Sequence, residues 1–324
     1  MTSAPHRSPA TRSGPDPFRH LAVVHRSVEE LLETLAPLLR AAVTRGDLIW
    51  AAVNDATRNA IERRLGAATL GVVFGEPGQP YSYSAQTTAA RRAARLRDMI
   101  GNGRAALILC DAATVAGPGT DAELWNGVDA SCNLALSGLP VTLICLCDVE
   151  RTSDEAERFL YWNHPELLVG PTVCSNPRYR APSEVLASTP APPAPALGPP
   201  SQEQPFANGS TTLRGIRAWT KRHGLEAGLD PERIEGLVLA VCELVTNSLE
   251  HGAGHGTLSW WLRPGRVVTQ IHDPGHMSII TPGLRRPDAL AVRGRGVWMA
   301  RQLCDVVHLW TTVDGTHARL EIGA

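Results

Sequence analysis

The chain has 324 residues, 43% hydrophobic and 19% charged, which excludes global disorder and favours two folded domains. Its 31 Lys plus Arg balance 32 Asp plus Glu for a net charge of −1, so neither nucleic acid nor an anionic membrane surface is an expected partner. The single lysine, Lys221 in T-K-R-H-G, lies neither between a glycine and Ser or Thr, as a Walker A loop requires, nor on a strand, as in a eukaryotic-type kinase.

Residues 1–17, rich in Ser, Pro and Arg, lack the apolar core of a secretory signal and are expected to be a disordered tail. An apolar strand His20–Val24 follows. Ser27-Val28-Glu29-Glu30 then has the form of a capping box, opening a helix toward Arg45 that Pro37 is expected to kink or break. Strand Leu48–Val53 leads into a helix capped by Asp55 and ended near Gly66. Apolar strands recur at Leu70–Phe74, Ala105–Cys110 and Val141–Cys147. Near-continuous apolar strands separated by helices imply a parallel sheet covered on both faces. The loop after Val53, Asn54-Asp55-Ala56-Thr57-Arg58, has no glycine and no lysine, so this sheet lacks a phosphate cradle where a nucleotide would sit.

The longest apolar stretch, Leu134 to Cys147, is broken by Ser137, Gly138 and Pro140 and falls short of the roughly 20 residues of a bilayer span. The cysteines, Cys110, Cys132, Cys145, Cys147, Cys174, Cys242 and Cys304, are odd in number and form no C-x-x-C pair. Buried, reduced thiols in a cytoplasmic protein are expected, and Cys145-Leu146-Cys147 is read as strand core rather than as metal ligands. His164-Pro165 is read as a helix-ending turn, with a ligand contact as the alternative. The opening strand with S-V-E-E-L-L, the run V-T-L-I-C-L-C-D and the segment F-L-Y-W-N-H-P-E-L-L-V-G resemble the methanogen/methylotroph sensory (MEDS) domain. That resemblance covers about residues 18–186 and implies a RecA-like sheet used for sensing.

Proline density over residues 187–209 predicts an extended spacer, leaving residues 210–324 as a second domain. There a helix from about Ser210 to His223 is expected to stop at Gly224. A second has Asp230 as N-cap, Pro231 at its first position and its end at Gly252. Glu243, Asn247 and His251 follow at i, i+4 and i+8, opposite an apolar stripe. A solvated face explains Glu243 and His251 equally well, and Asn247 less well. A hairpin turning at Pro264-Gly265 delivers Asp273-Pro274-Gly275, an acidic strand end that can accept hydrogen bonds from a ligand. Roughly twenty irregular residues containing Pro282, Gly283 and Pro287 read as a lid. It ends at Gly294-Arg295-Gly296, before the helical pattern Val297–Cys304. Two strands around Asp314-Gly315 close the chain.

In this order the elements resemble the GHKL ATPase fold, and within it the bacterial anti-sigma-factor serine kinases. E-L-V-T-N-S-L-E-H-G matches the N box, H-D-P-G the first glycine box and R-G-R-G-V-W-M-A-R-Q-L-C-D the second. The resemblance implies an α/β sandwich in which Asn247 coordinates Mg²⁺ and Glu243 polarises the attacking nucleophile. It implies that Asp273 reads the adenine amino group with Gly275 giving it room, that Gly294 and Gly296 bind phosphates, and that Thr316 supports the adenine contact. Met277 departs from the family pattern, standing where the second glycine of the first box belongs. No histidine-kinase helix pair with a phosphoacceptor precedes the domain. The pairs His251/His255 and His272/His276 have a spacing known in zinc sites, but neither lies on a regular helical turn. Two functional readings stand. One is an ATP- and Mg-dependent serine/threonine kinase acting on a sigma factor's antagonist, under control of the sensory domain and possible as a homodimer. The other is a module that holds ATP or a sigma factor without phosphotransfer.

Overall fold

Every residue of Leu48–Ala52 (β2) and Ala106–Asp111 (β4) is buried, as strands covered on both faces require. The computed structural model describes residues 18–75, 83–101, 103–111, 122–277, 283–287 and 294–323. With β1 (Arg19–His25), β3 (Val72–Phe74), β5 (Val141–Asp148), β6 (Glu166–Val169) and β7 (Thr172–Ser175), these strands form a seven-stranded sheet of order β3-β2-β4-β5-β1-β6-β7. All neighbours are parallel except the β6–β7 hairpin. Alternation sends Leu21, Ile49, Leu109 and Ile144 to one face, against α1 (Val28–Arg45) and α2 (Asp55–Leu65). Ala22, Trp50, Ile108 and Leu143 face α3 (Ala85–Ile100), α4 (Ala122–Ala135) and α5 (Asp154–Asn163) on the other. The mostly parallel sheet with helices on both faces is as the sequence implies.

Local details differ from expectation, with physical reasons. Helix α1 runs through Pro37, whose side is exposed, so the carbonyl it leaves without an N–H partner faces solvent. Ser27 caps α1 by accepting from Glu30 N, while Glu30 Oε2 accepts from Arg26 N rather than from Ser27 itself. The cap of α2 is Asn54, not Asp55: its Oδ1 accepts from Thr57 N, and its Nδ2 donates to Asp111 Oδ2 at 2.9 Å.

The second sheet is antiparallel, of order β11-β12-β10-β9-β8. It comprises β8 (Gln202–Ala207), β9 (His255–Arg263), β10 (Arg266–Asp273), β11 (Val306–Thr312) and β12 (Gly315–Gly323). On one face α8 (Pro231–His251) packs Ile234, Leu237, Val241 and Val245 against Leu258, Val267, Ile271 and Leu320. Helices α7 (Thr212–Glu226) and α9 (Gly296–Leu303) flank it. Helix α7 continues past Gly224, because that glycine is where α7 meets α8: a Cβ there would lie 3.1 Å from Ile234 Cγ1. The spacer expected over 187–209 is also shorter than its composition suggests. After α6 (Pro182–Ser188) the chain is extended, but Gln202–Ala207 pairs with β9 as an edge strand, where a proline is tolerated. The proline segment is moreover pinned to the outer face of the sheet. His308 Nε2 donates to Pro192 O, Arg319 Nη1 to Pro195 O, Arg263 to Leu197 O and Trp261 Nε1 to Gly198 O.

A polar seam joins the two sheets through α3. Thr87 Oγ1 donates to Val307 O (2.6 Å) and accepts from Val307 N (3.0 Å). The buried Arg301 donates to Val307 O (2.8 Å) and to Gln86 Oε1 (2.6 Å), and Tyr83 OH donates to Glu321 Oε1 (2.6 Å). No helix among the described residues is long and apolar enough to cross a membrane.

Candidate functional site

Helix α8 starts where its sequence says it must, with the Asp230 side chain accepting from Arg233 N and Pro231 in the first turn. Burying the apolar stripe leaves Glu243 and Asn247 half-buried, one turn apart on the opposite face, while His251 is exposed. The side chains of Glu243 and Asn247 have no hydrogen-bond partner among the described residues. At about 1.5 Å rise per residue, α8 runs roughly 12 Å from Glu243 to its last residue, His251. This face is bounded at one end by α9 and at the other by the end of β10.

At the first end, Gly296 opens α9 directly against Glu243. A Cβ on Gly296 would lie 2.6 Å from Glu243 Oε2 and 3.2 Å from Glu243 Cβ, so only glycine fits without displacing the carboxylate. Gly294 is exposed at φ 82°, in the left-handed region, and has no close neighbour. Most of the expected lid falls in residues 278–282 and 288–293, outside the described residues. Of the part described, Leu284 is buried, and Gly283 rests on the first turn of α9, 2.5 Å from Trp298 N if it carried a Cβ.

At the other end, the buried Asp273 carboxylate is held by backbone N–H groups: Oδ1 accepts from Ala253 N (2.9 Å) and from Gly275 N (2.7 Å). Its Oδ2 lies against Gly252, where an added Cβ would be 1.6 Å away. Thr316, opposite Asp273 in the β10–β12 register, donates from Oγ1 to Gly275 O and accepts from Met277 N, both at 2.8 Å. Gly275 is needed for close packing, since a Cβ would come 2.7 Å from Ala253 N. Met277 packs its side chain against the apolar core of this unit.

The fold therefore gathers Asp273, Gly275 and Thr316 at one end of the helix face and Glu243 and Gly296 at the other, with Asn247 between them on α8. Among the described residues neither histidine pair belongs to a cluster of three metal-ligating groups: His272 Nε2 bonds Asp314 O and its ring stacks on His317, while His255 Nδ1 bonds Ala253 O. A cavity of 1060 Å³ lies elsewhere, between the two units. It is lined by Arg91, Arg95, Arg233 and Asp305 and by none of these site residues.

Sequence reasoning missed Gly252 and Ala253, whose backbone fits the Asp273 carboxylate, because a glycine after a helix reads only as its stop. It also missed Arg301, whose signal was present. Arg301 shares the apolar stripe of α9 with Val297, Ala300 and Cys304, and a charge there must find buried partners. Burial holds its guanidinium well below its ordinary range, down to about 9.

Comparison with known proteins gives two family matches. Residues 206–322 match the histidine kinase-like ATPase domain, and residues 19–165 match MEDS, the methanogen/methylotroph, DcmR sensory domain. Both families expected from the motifs are thus found, the MEDS match ending at residue 165, within the last of its three motifs and short of the expected 186. A solved structure of the RsbU and RsbW domains of a Mycobacterium tuberculosis protein is similar at 22% identity and a TM-score of 0.29. That similarity covers 38% of this chain and 33% of the other. No curated protein matches the chain.

Proposed function

We propose that this chain, a MEDS sensory domain fused to a histidine-kinase-like ATPase domain, is an ATP-dependent serine/threonine kinase of the anti-sigma type. On this reading it acts in the cytoplasm on the antagonist of a sigma factor. The observation that carries the reading is the single face of α8. It sets Glu243 and Asn247 between an acidic strand end, Asp273, and a glycine-led helix start, Gly296.

The residues fit the groups this function needs. Asn247 offers a carboxamide oxygen with no competing partner among the described residues, a hard donor of the kind Mg²⁺ takes. The Asp273 carboxylate has one oxygen held by two backbone donors, and the other can accept from the adenine amino group. The start of α9, preceded by Gly294 and opened by Gly296, carries the positive end of the helix dipole, suited to phosphate. When bound, Mg²⁺ would neutralise charge on the transferred phosphoryl group. Glu243, one turn from Asn247, then orients or deprotonates the attacking hydroxyl. Thr316 acts at one remove by bracing the Asp273-Pro274-Gly275 turn.

The test is transfer of labelled phosphate from ATP to candidate antagonist proteins, by the wild type and by Glu243→Gln. Transfer by the wild type and its collapse in Glu243→Gln, with ATP binding kept, support the kinase. The second reading, a module that holds ATP or a sigma factor without phosphotransfer, is favoured by Met277 at the position of the second glycine. It prevails if the wild type binds ATP or a sigma factor and transfers nothing.

A further inference from the structure

The sensory unit contains a buried cluster that the proposed kinase chemistry does not use. His20 on β1, Cys145 on the neighbouring strand β5 and His164, which ends α5, converge in the core at 1%, 3% and 0% exposure. One ring nitrogen from each histidine and the Cys145 sulfur all lie within 4.8 Å of one another. The two imidazole centroids are 4.0 Å apart.

The hydrogen bonds around the cluster decide which atoms face inward. Asn133 Nδ2 donates to Asp129 O and Asn163 O, so its Oδ1, an acceptor, is the atom beside His20 Nδ1 at 3.2 Å. His20 Nδ1 therefore carries the proton, and Nε2 turns its lone pair to Cys145 Sγ at 3.4 Å. His164 Nδ1 is 2.6 Å from Leu160 O, a carbonyl that only accepts, so it too is protonated. That leaves His164 Nε2 as a lone pair, buried and without a hydrogen-bond partner. An orphaned buried acceptor beside a thiol and a second imidazole lone pair has no structural benefit, because burial strips it of water without replacement.

We propose that His20 Nε2, His164 Nε2 and Cys145 Sγ form a site for one zinc-class divalent ion, with a fourth position open to a small exogenous ligand. Two imidazoles and a thiolate suit zinc, and three protein ligands are the pattern of sites that keep an open position. Metal–nitrogen bonds of ~2.0–2.1 Å and a metal–sulfur bond of ~2.3 Å place tetrahedral ligand atoms about 3.5 Å apart. The His20–Cys145 pair already stands at 3.4 Å. The bonds to Asn133 Oδ1 and Leu160 O are the outer contacts that fix imidazole orientation in metal sites. Binding converts the Cys145 thiol to thiolate and releases its proton to solvent. One thiolate leaves a net positive charge on the ion; the neighbouring Asp129 carboxylate, close enough to act on His164, offsets it, while the Arg92 guanidinium, close enough to act on His20 and Cys145, opposes it and favours the thiolate.

The site is tested on the full chain, stripped of metal and titrated anaerobically with Co²⁺ alone. One equivalent of cobalt is expected, with a thiolate-to-cobalt charge-transfer band and the d–d bands of a four-coordinate ion. Cys145→Ser should abolish the charge-transfer band. His164→Gln, which keeps a polar side chain in the same space, should weaken binding by at least ~100-fold, and Asn133→Leu by ~10–100-fold. If Cys145→Ser fails to fold by circular dichroism, His164→Gln and Asn133→Leu carry the decision. A wild type that binds no cobalt, or folded variants that keep its spectrum and affinity, overturns the proposal.

Discussion

The first sheet keeps its polar chemistry inside, where His20, Cys145 and His164 meet between adjacent strands and a helix end. On the proposed reading the second carries its chemistry on a half-buried helix face, at Glu243 and Asn247. The strand ends differ in the same sense. After β2, Asn54 fills the N-terminus of α2 with its own side chain and bonds the Asp111 carboxylate, which places negative charge where a phosphate would need donors. After β10, Asp273 is fastened to the end of α8 with its second oxygen against a glycine. The contrast teaches that an α/β layer does not by itself make a nucleotide site. What matters is whether the strand-end loops leave donors and space or consume them.

The largest expected effect bears on the helix face. Glu243→Gln should cut phosphate transfer by ~10²–10⁴-fold while leaving ATP affinity close to wild type, as a positioned base requires. If binding and transfer fall together, Glu243 only supports Asn247 or solvates α8. A smaller effect sharpens the contrast from the seam between the two units. Arg301→Ala removes the donor to Val307 O and Gln86 Oε1 and leaves a void, a loss of about 2–4 kcal/mol in chemical denaturation. A midpoint unchanged from wild type would mean that the seam contributes nothing to stability.

Thr87→Val is the finer version of the same experiment. It keeps the shape but leaves the buried Val307 N–H without its acceptor, for a loss of about 1–3 kcal/mol. The smallest effect is a pH dependence from His308 and His317, both held below the usual histidine range, with burial the first cause. An unfolded chain then binds more protons than the folded one as pH drops below about 6.5, so stability should decline there. His308→Gln should flatten part of that decline, the buried His20 and His164 being held low in the same way, and thermal midpoints compared from pH 7.5 downward read it.

Much of this contrast was legible in the sequence wherever one local rule decides. The apolar runs that become β2, β4 and β5 are buried on both faces, and Asp230-Pro231 opens α8. The i, i+4 spacing puts Glu243 and Asn247 on one helical face. Legibility ended where long-range packing decides. Gln202–Ala207 is polar, contains Pro205 and buries only Phe206, so nothing in its composition announced an edge strand. Gly224 read as a stop because its helix–helix contact with Ile234 lies outside its own segment. His20, Cys145 and His164 are far apart in sequence, and only the β5-β1 pairing together with the return of α5 into β6 beside β1 joins them. Taken singly, each looked like core or a turn, as Cys145 and His164 were read.

Calorimetric titration of Mg-ATP into the full chain, wild type against Asn247→Ala, tests the central claim most directly. The helix face of the second unit should give one site in the wild type. Asn247→Ala should lose most of its affinity, leaving no binding from the first sheet, where Asn54 and Asp111 fill the strand end after β2. Equal titrations for the two proteins, or no heat with either, would contradict the claim.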